Sequence, residues 1–381
     1  MNSMQQFADK YFLRTNQILK GEGLNPWVNM QVFVRNGPGK VAGVDEAIDL
    51  ITANSDIESV GGRIYAKSDG QQYTPKETQM NIIAPIQSIV ELETVYLGVI
   101  SAGITLENSG SEPDLASITR NVAQVVDLTG GRPVFYFGAR HWHYNADADI
   151  SAAAFRGGVA GCSTDAGAAA QGQLGMGTIP HVLETIMAHK YGRGNAVAMA
   201  TLAFDRHIDP NVPRIALPDY DNHEISDTIQ TAQVLRKGDG QTKKLDGVRI
   251  DTCGENIAEG GRAGDRRYWE GPGVTVTGVY ALRSSLNQAG ERDSQLGLSS
   301  GFGDIMKVTA FNEGERVFGV RLYDFVGAGF LDHVRTATAD VVAVGDSPDA
   351  VDFYTGPVQE ENIFHKVGRP PSPNYTLERI L

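Results

Sequence analysis

Two glycine-rich stretches and three with charged or histidine side chains hold the residues that could do chemistry. Ser299-Ser300-Gly301-Phe302-Gly303 and Val326-Gly327-Ala328-Gly329 each follow an apolar, strand-like run. Glycine frees backbone amides to surround a phosphate, and a helix starting there adds favourable dipole charge. Small residues also make ordinary turns, so it is the recurrence at two consecutive strand ends that points to phosphate. Arg249-Ile250-Asp251 closes another run. Alternate strand residues share a face, so Arg249 and Asp251 point the same way. A guanidinium can hold a phosphate or stack on an aromatic ring, and a carboxylate can hold ribose hydroxyls or Mg²⁺. A salt-bridged strand end is the plainer alternative. In Gly177-Thr178-Ile179-Pro180-His181 the histidine opens a helix expected over 181–189. That terminus lowers its pKa and welcomes a phosphate, although a lone histidine there is also an ordinary cap. His141-Trp142-His143 follows a strand. Two histidines two apart on a strand share a face and could bind one metal, as in a metal-dependent amidohydrolase. Further His and carboxylate ligands in the expected order are missing.

The elements that must position these residues fall into two textures. Up to about residue 113 the chain reads as strands with some helix. Ala8–Leu19 has helical spacing, Val28–Val34 and Gly61–Ala66 alternate like strands, 45–51 is a short amphipathic helix, and 82–98 runs from strand into helix. From Asp114 the pattern becomes βαβα. A helix over 115–128 has Asp114 as its N-cap, and the strand Pro133–Phe137 ends in Gly138–Arg140. Helix Ala148–Phe155, a helix starting near Thr164 and a short strand leading into Gly177 come next. The strand Arg214–Leu217 ends at Asp219, with helix 225–236 after it. Strand Gly247–Ile250, helix 274–288 and strands Leu296–Ser299 and Val320–Phe325 follow. Polar and glycine residues gather just after the strands, where a parallel α/β barrel keeps its active-site loops. The last forty-five or so residues return to strand-like alternation over Ala339–Val344 and then loop.

Composition narrows the classes of function. The 381 residues allow two domains, or a barrel with an appended one. A net charge of −13 argues against covering a nucleic-acid backbone but permits one local anion pocket. Cys162 and Cys253 cannot form a disulfide framework or a four-cysteine zinc site, so a reducing, cytoplasmic compartment is expected. The N-terminal stretch lacks the pattern of a signal peptide, and no run of 18 apolar residues suggests a membrane span.

Taken in order, the motifs resemble those of the nicotinate phosphoribosyltransferase family, most closely its short archaeal type. The resemblance runs from Asp9-Lys10-Tyr11-Phe12-Leu13-Arg14-Thr15 and Glu22-Gly23-Leu24-Asn25-Pro26 through Phe137-Gly138-Ala139-Arg140 and Gly157-Gly158-Val159-Ala160-Gly161-Cys162-Ser163-Thr164. It continues through Gly177-Thr178-Ile179-Pro180-His181, Val248-Arg249-Ile250-Asp251-Thr252, Ser300-Gly301-Phe302 and Val326-Gly327-Ala328-Gly329. It closes at Lys366-Val367-Gly368-Arg369 and Glu378-Arg379. The resemblance implies an incomplete or distorted α/β barrel (114–335) joined to an N-terminal α/β sandwich domain (1–113), which the C-terminal segment (336–381) rejoins.

It also implies a reaction and a set of roles. Nicotinate and phosphoribosyl pyrophosphate would give nicotinate mononucleotide and pyrophosphate, with Mg²⁺ as cofactor and ATP as co-substrate. The product would feed NAD biosynthesis. His181, Arg249 and Asp251 would be catalytic, His181 as the phosphoryl acceptor from ATP. Phe137 and Tyr11 would stack on the pyridine, Arg140 would meet the pyrophosphate, and Ser163 and Asp219 would complete substrate binding. Ser163 would favour nicotinate over nicotinamide, and otherwise would only cap the helix that follows. Ser300, Gly301, Gly327 and Gly329 would cradle the 5′-phosphate. No metal-ligating residues and no structural zinc are expected, since the cysteine knuckle of some archaeal relatives is missing. Tyr11 would reach the site of a neighbouring subunit in a homodimer, or a hexamer built from dimers; no nucleic-acid or membrane partner is implied. Nicotinamide phosphoribosyl transfer, the amidohydrolase based on His141 and His143, and a catalytically idle binding or assembly relative are the alternatives.

Overall fold

The computed structural model describes residues 4–330 and 333–381; Met1–Ser3, part of the N-terminal stretch read above, lie outside them. Helix α1 (Lys10–Gly21) leads into strand β1 (Trp27–Val34), and a two-stranded ribbon, β2 (Gly39–Lys40) with β4 (Gln72–Tyr73), flanks helix α2 (Val44–Asn54) and strand β3 (Arg63–Ala66). Strand β5 (Thr78–Pro85) runs into helices α3 (Ile86–Ile89) and α4 (Glu93–Ser109).

Two strands from the end of the chain complete this first sheet. β12 (Ala337–Gly345) pairs antiparallel with β1, and β13 (Glu378–Arg379) pairs with β3, giving the order β12-β1-β5-β3-β13. Alternation in β1 explains the layering. Val28, Met30, Val32 and Val34 enter the main core under the helices. Asn29 and Gln31 face the other way, where Asn29 Nδ2 donates to Val351 O at 2.9 Å and Gln31 Oε1 accepts from Ser372 N at 2.7 Å. The C-terminal segment therefore covers the second face and satisfies its polar groups.

The second sheet is parallel and curled. Helix α5 (Leu115–Leu128) precedes β6 (Val134–Tyr136), and Asp114 caps it as expected, accepting from Ala116 N and Ser117 N at 3.0 Å. Helix α6 (Asp147–Arg156), β7 (Gly161–Cys162), α7 (Asp165–Ala168), α8 (His181–Tyr191), α9 (Ala196–His207), β8 (Ile215–Ala216), α10 (Glu224–Lys237), β9 (Gly247–Ile250), α11 (Val276–Ala289), β10 (Gln295–Leu298), α12 (Ile305–Phe318) and β11 (Phe325–Ala328) follow. Strand order is β7-β6-β11-β10-β9-β8, every neighbouring pair parallel. That is the circular order of a barrel cut open between β7 and β8. The residues that would bridge the cut instead form α8 and α9, whose Val182, Leu183, Ile186, Ala203 and Phe204 enter the core under the antiparallel sheet. Inserting two helices there keeps the edges apart, so the barrel is incomplete for a packing reason.

Three expectations need correction. The last barrel strand is Phe325–Ala328, not Val320–Phe325. Its glycines look like turn residues, yet Gly327 lies inside the strand because the Phe137 ring packs against its backbone. No strand leads into Gly177; residues 173–180 are loop. One helical stretch, Ile86–Ser109, is long and apolar enough to cross a membrane, although no uninterrupted apolar run marks it. It is a core helix, with 78% of its most apolar window buried inside the protein; α13 (Pro348–Val351) caps the other side of the sheet.

One buried ion pair anchors the edge of the barrel. Arg214 Nε donates to Asp205 Oδ1 at 2.6 Å, and both side chains are fully buried. The guanidinium also donates to the carbonyls of Ile208 and Asp209, at 2.9 and 2.8 Å. Removing one partner strands the other charge, so Asp205→Ala is expected to cost about 3–5 kcal/mol. Urea unfolding measures this; a loss below about 1 kcal/mol would show that the pair is not a structural anchor.

Candidate active site

A cavity of about 750 Å³ opens between the C-terminal ends of the barrel strands and the β12 edge of the antiparallel sheet. The strand ends supply Phe137, Arg140 and His141 after β6, Arg249 and Asp251 from β9, Ser299 to Gly301 after β10, and Gly327 to Gly329 from β11. Helix α8 supplies His181, and α1 supplies Tyr11. The opposite wall carries Arg35, Asp340, Lys366 and Arg369.

Glycine is needed on the floor for close approach. A Cβ on Gly327 would lie 2.3 Å from the Phe137 ring, and one on Gly329 would lie 2.2 Å from the His141 ring. Gly177 does the same for Tyr11, whose backbone nitrogen would be 3.0 Å from an added Cβ. After β10 the backbone turns through two left-handed residues, Ser300 (φ 68) and Gly301 (φ 86). Such conformations are costly for a non-glycine residue and cluster at ligand sites. Ser299 Oγ donates to Asp251 Oδ1 at 2.8 Å, fixing that carboxylate at the mouth.

His181 sits in a charged relay. Its Nε2 is 3.1 Å from Asp219 Oδ1 and 3.2 Å from Lys366 Nζ, and Lys366 Nζ also donates to Asp219 Oδ2. Burial and the Lys366 ammonium lower the His181 pKa, with Asp219 opposing them, so the ring is neutral near pH 7. Burial pushes Asp219 up, but Lys366 and His181 outweigh it and hold the carboxyl below its usual range. Asp219 is fully buried behind the histidine and does not line the cavity. Its carboxylate is instead taken up by His181 and Lys366.

Tyr11 lines the cavity of its own chain. The start of α1 is tied to the barrel: Lys10 N donates to Ser163 O at 2.8 Å, Lys10 Nζ pairs with Asp165 at 2.8 Å, and Asp9 bridges to Thr164. Asp9 Oδ2 then accepts from Tyr11 OH at 3.1 Å and Thr94 Oγ1 at 3.0 Å. Burial and Asp9 raise the Tyr11 pKa, so the phenol keeps its proton.

Ser163 is buried and outside the cavity lining. It does not cap α7 either, because Thr164 Oγ1 accepts from Gly167 N at 3.1 Å. The cap reading of Ser163 is therefore corrected: Thr164 takes that role. The two histidines of the 141–143 motif separate. His141 ends a 3-10 turn, not a strand, and its half-buried ring packs against Gly329. Burial and the neighbouring Arg140 push its pKa down to about 3. His143 Nε2 instead lies 2.9 Å from Glu46 Oε1. Among the described residues no three His, Cys, Asp or Glu side chains cluster to hold a metal ion.

Several lining residues have no role assigned from the sequence. Lys366 and Arg369 belong to a motif quoted above, but nothing local shows that Lys366 meets His181 or that Arg369 meets Asp340. Asp340 lies in β12 and Arg35 directly follows β1, both in the other domain, and Glu93 opens what reads as a core helix. Glu93 Oε1 is 3.9 Å from Arg140 Nη1, and burial raises its pKa to about 8.

Residues 9–102 match the family model of the quinolinate phosphoribosyl transferase N-terminal domain. The nicotinate phosphoribosyltransferase structure of Porphyromonas gingivalis aligns over 96% of this chain and 93% of its own, with TM-score 0.61 and 14% identity. That of Vibrio cholerae aligns over 90% and 86%, also with TM-score 0.61 and 14% identity. A Saccharomyces cerevisiae protein assigned the same activity aligns over 91% and 92%, with TM-score 0.66 and 11% identity. This is the nicotinate phosphoribosyltransferase fold. No curated protein matches the sequence. In that fold the cavity lies where an open α/β barrel keeps its chemistry, at the carboxyl ends of the strands.

Two measurements test the geometry. Gly327→Ala is expected to destabilise by about 1–3 kcal/mol through overpacking against Phe137, with Phe137→Leu restoring part of the loss. Equal loss with and without Phe137→Leu would refute the contact. Glu93 binds its proton more tightly folded than unfolded, so its contribution to stability declines as pH rises from about 4.5 to about 8. Glu93→Gln should flatten that part of the stability profile; an unchanged slope would place the titration elsewhere.

Proposed function

We propose that the chain transfers phosphoribosyl from phosphoribosyl pyrophosphate to nicotinate, releasing pyrophosphate, in NAD biosynthesis. The observation that carries this reading is the composition of the cavity at the barrel mouth. Left-handed and glycine backbone at the β10 and β11 ends, the aromatic rings of Phe137 and Tyr11, and five cationic side chains meet there in a chain of net charge −13. A polyanionic sugar and a small aromatic acid match those three surfaces.

The chemistry asks little of a base. The pyridine nitrogen attacks the anomeric carbon with its own lone pair, the bond from that carbon to the pyrophosphate oxygen breaks, and no proton leaves the nucleophile. Catalysis then rests on orientation and on stabilising the departing charge. Phe137 and Tyr11 hold the ring. Arg140, a permanently charged guanidinium with the Asp9 and Asp251 carboxylates among its neighbours, answers the negative charge that develops. Asp251, braced by Ser299, is suited to ribose hydroxyls. A single carboxylate also suits Mg²⁺, which usually takes one or two protein carboxylates and completes its shell with substrate phosphates and water. When bound, that ion would supply positive charge to the pyrophosphate.

His181 is the proposed acceptor of a phosphoryl group from ATP. With Nε2–H donated to Asp219, the Nδ1 lone pair is left for attack, and the start of α8 favours the phosphate that results. The arginines around the aromatic rings favour the acid over its amide.

The test is product analysis. The purified chain is incubated with phosphoribosyl pyrophosphate, Mg²⁺ and nicotinate, nicotinamide or quinolinate, with and without ATP, and products are separated by chromatography. Nicotinate mononucleotide is the expected product, formed faster with ATP in wild type but not in His181→Ala. Mononucleotide from nicotinamide or quinolinate instead would reassign the substrate. No mononucleotide from any of the three would end the proposal.

A further inference from the structure

Lys307 is a buried lysine in the wrong place for stability. It lies in the first turn of α12, where the helix dipole disfavours a cation, and it is 6% exposed. Burial brings its pKa down to about 8. It does not line the cavity; Ser300 and Gly301, directly in front of it, do. Its Nζ donates to Ser300 O at 2.7 Å and lies 4.6 Å from the centre of the Phe302 ring.

The geometry of one peptide unit links this lysine to the cavity. The Ser300–Gly301 bond is trans, so the carbonyl of Ser300 and the N–H of Gly301 point in opposite directions. A carbonyl turned back onto Lys307 therefore turns the Gly301 N–H forward. Ser300 adopts φ 68 to allow this, a left-handed conformation that serine rarely takes. Asp304 N donates to Gly301 O at 3.2 Å and closes the turn from its other end.

We infer that Lys307 is a positioning residue that locks the Ser300–Gly301 peptide with its N–H aimed into the cavity, making the donor that receives a phosphate monoester. The inference rests on the phosphoribosyl reading and deepens it, by naming what orients the donor. The lysine itself stays behind the loop. Its charge polarises the peptide, so the forward N–H is a stronger donor than an ordinary backbone amide. This also accounts for a cation at a helix start: the same positive field reaches the bound phosphate.

Ribose 5-phosphate is the probe, because it carries the monoester without the leaving group. Calorimetry is expected to show binding to wild type, weakening by roughly 10- to 100-fold in Lys307→Met, and partial rescue in Lys307→Arg. The KM for phosphoribosyl pyrophosphate should rise in Lys307→Met while that for nicotinate holds. In wild type the Gly301 amide proton should shift downfield on adding ribose 5-phosphate, a readout that needs no variant to fold. Binding by wild type that Lys307→Met leaves intact, or a Gly301 amide that does not move, overturns this inference alone. No binding of ribose 5-phosphate by wild type overturns the phosphoribosyl reading and this inference with it.

Discussion

The pairing of β12 with β1 ties the end of the chain to its beginning, Trp27 against Gly345 and Val34 against Ala337. Everything about the cavity depends on that closure. It completes the antiparallel sheet, sets β12 opposite the barrel mouth, and delivers the tail that carries Lys366 and Arg369. Val367 N then donates to Tyr220 O at 2.9 Å, which brings Lys366 against Asp219 and His181. Without the C-terminal strand, His181 would lose one of its two charged partners and the cavity would lose a wall. The barrel alone would present an open mouth lined by strand ends.

The site is also balanced by burial. Asp219 is held ionised by a lysine and a histidine, Tyr11 keeps its proton, and Glu93 stays largely protonated at neutral pH. Burial under two sheets pushes all three upward; at Asp219 the charged partners outweigh it, and at Tyr11 and Glu93 they do not. Neutral Glu93 leaves Arg140 free to face a substrate anion. Neutral His181 keeps a lone pair that a protonated ring would lack.

Much of the architecture was legible in the sequence. Asp114 announced α5 because an N-cap is a local signal, and β1 and β9 showed themselves by alternation. Strand ends rich in glycine and charge placed Arg249, Asp251, Ser300 and Gly301 together, since a parallel barrel converges its loops on one face. Errors came where the cause was not local. Gly327 read as a turn because nothing nearby in sequence shows that the Phe137 ring needs its space. Ser163 and Asp219 are buried outside the cavity lining, and nothing local in sequence shows it, because burial is a property of the packed molecule. Lys307 was passed over for the same reason: its role depends on the direction of one peptide bond.

Both ends of one chain fold over its own barrel and line its cavity, Tyr11 from the start and Lys366 and Arg369 from the end. Subunit mixing tests this most directly. Tyr11→Ala and Arg249→Ala proteins, each assayed for mononucleotide formation, are mixed under conditions in which labelled subunits demonstrably exchange. If Tyr11 and Arg249 serve the cavity of the same chain, every chain in the mixture carries one defect in its own site, and activity is expected to stay at the level of the separate variants. Recovery of a substantial fraction of wild-type activity would mean that Tyr11 completes the site of a neighbour, and would contradict the claim.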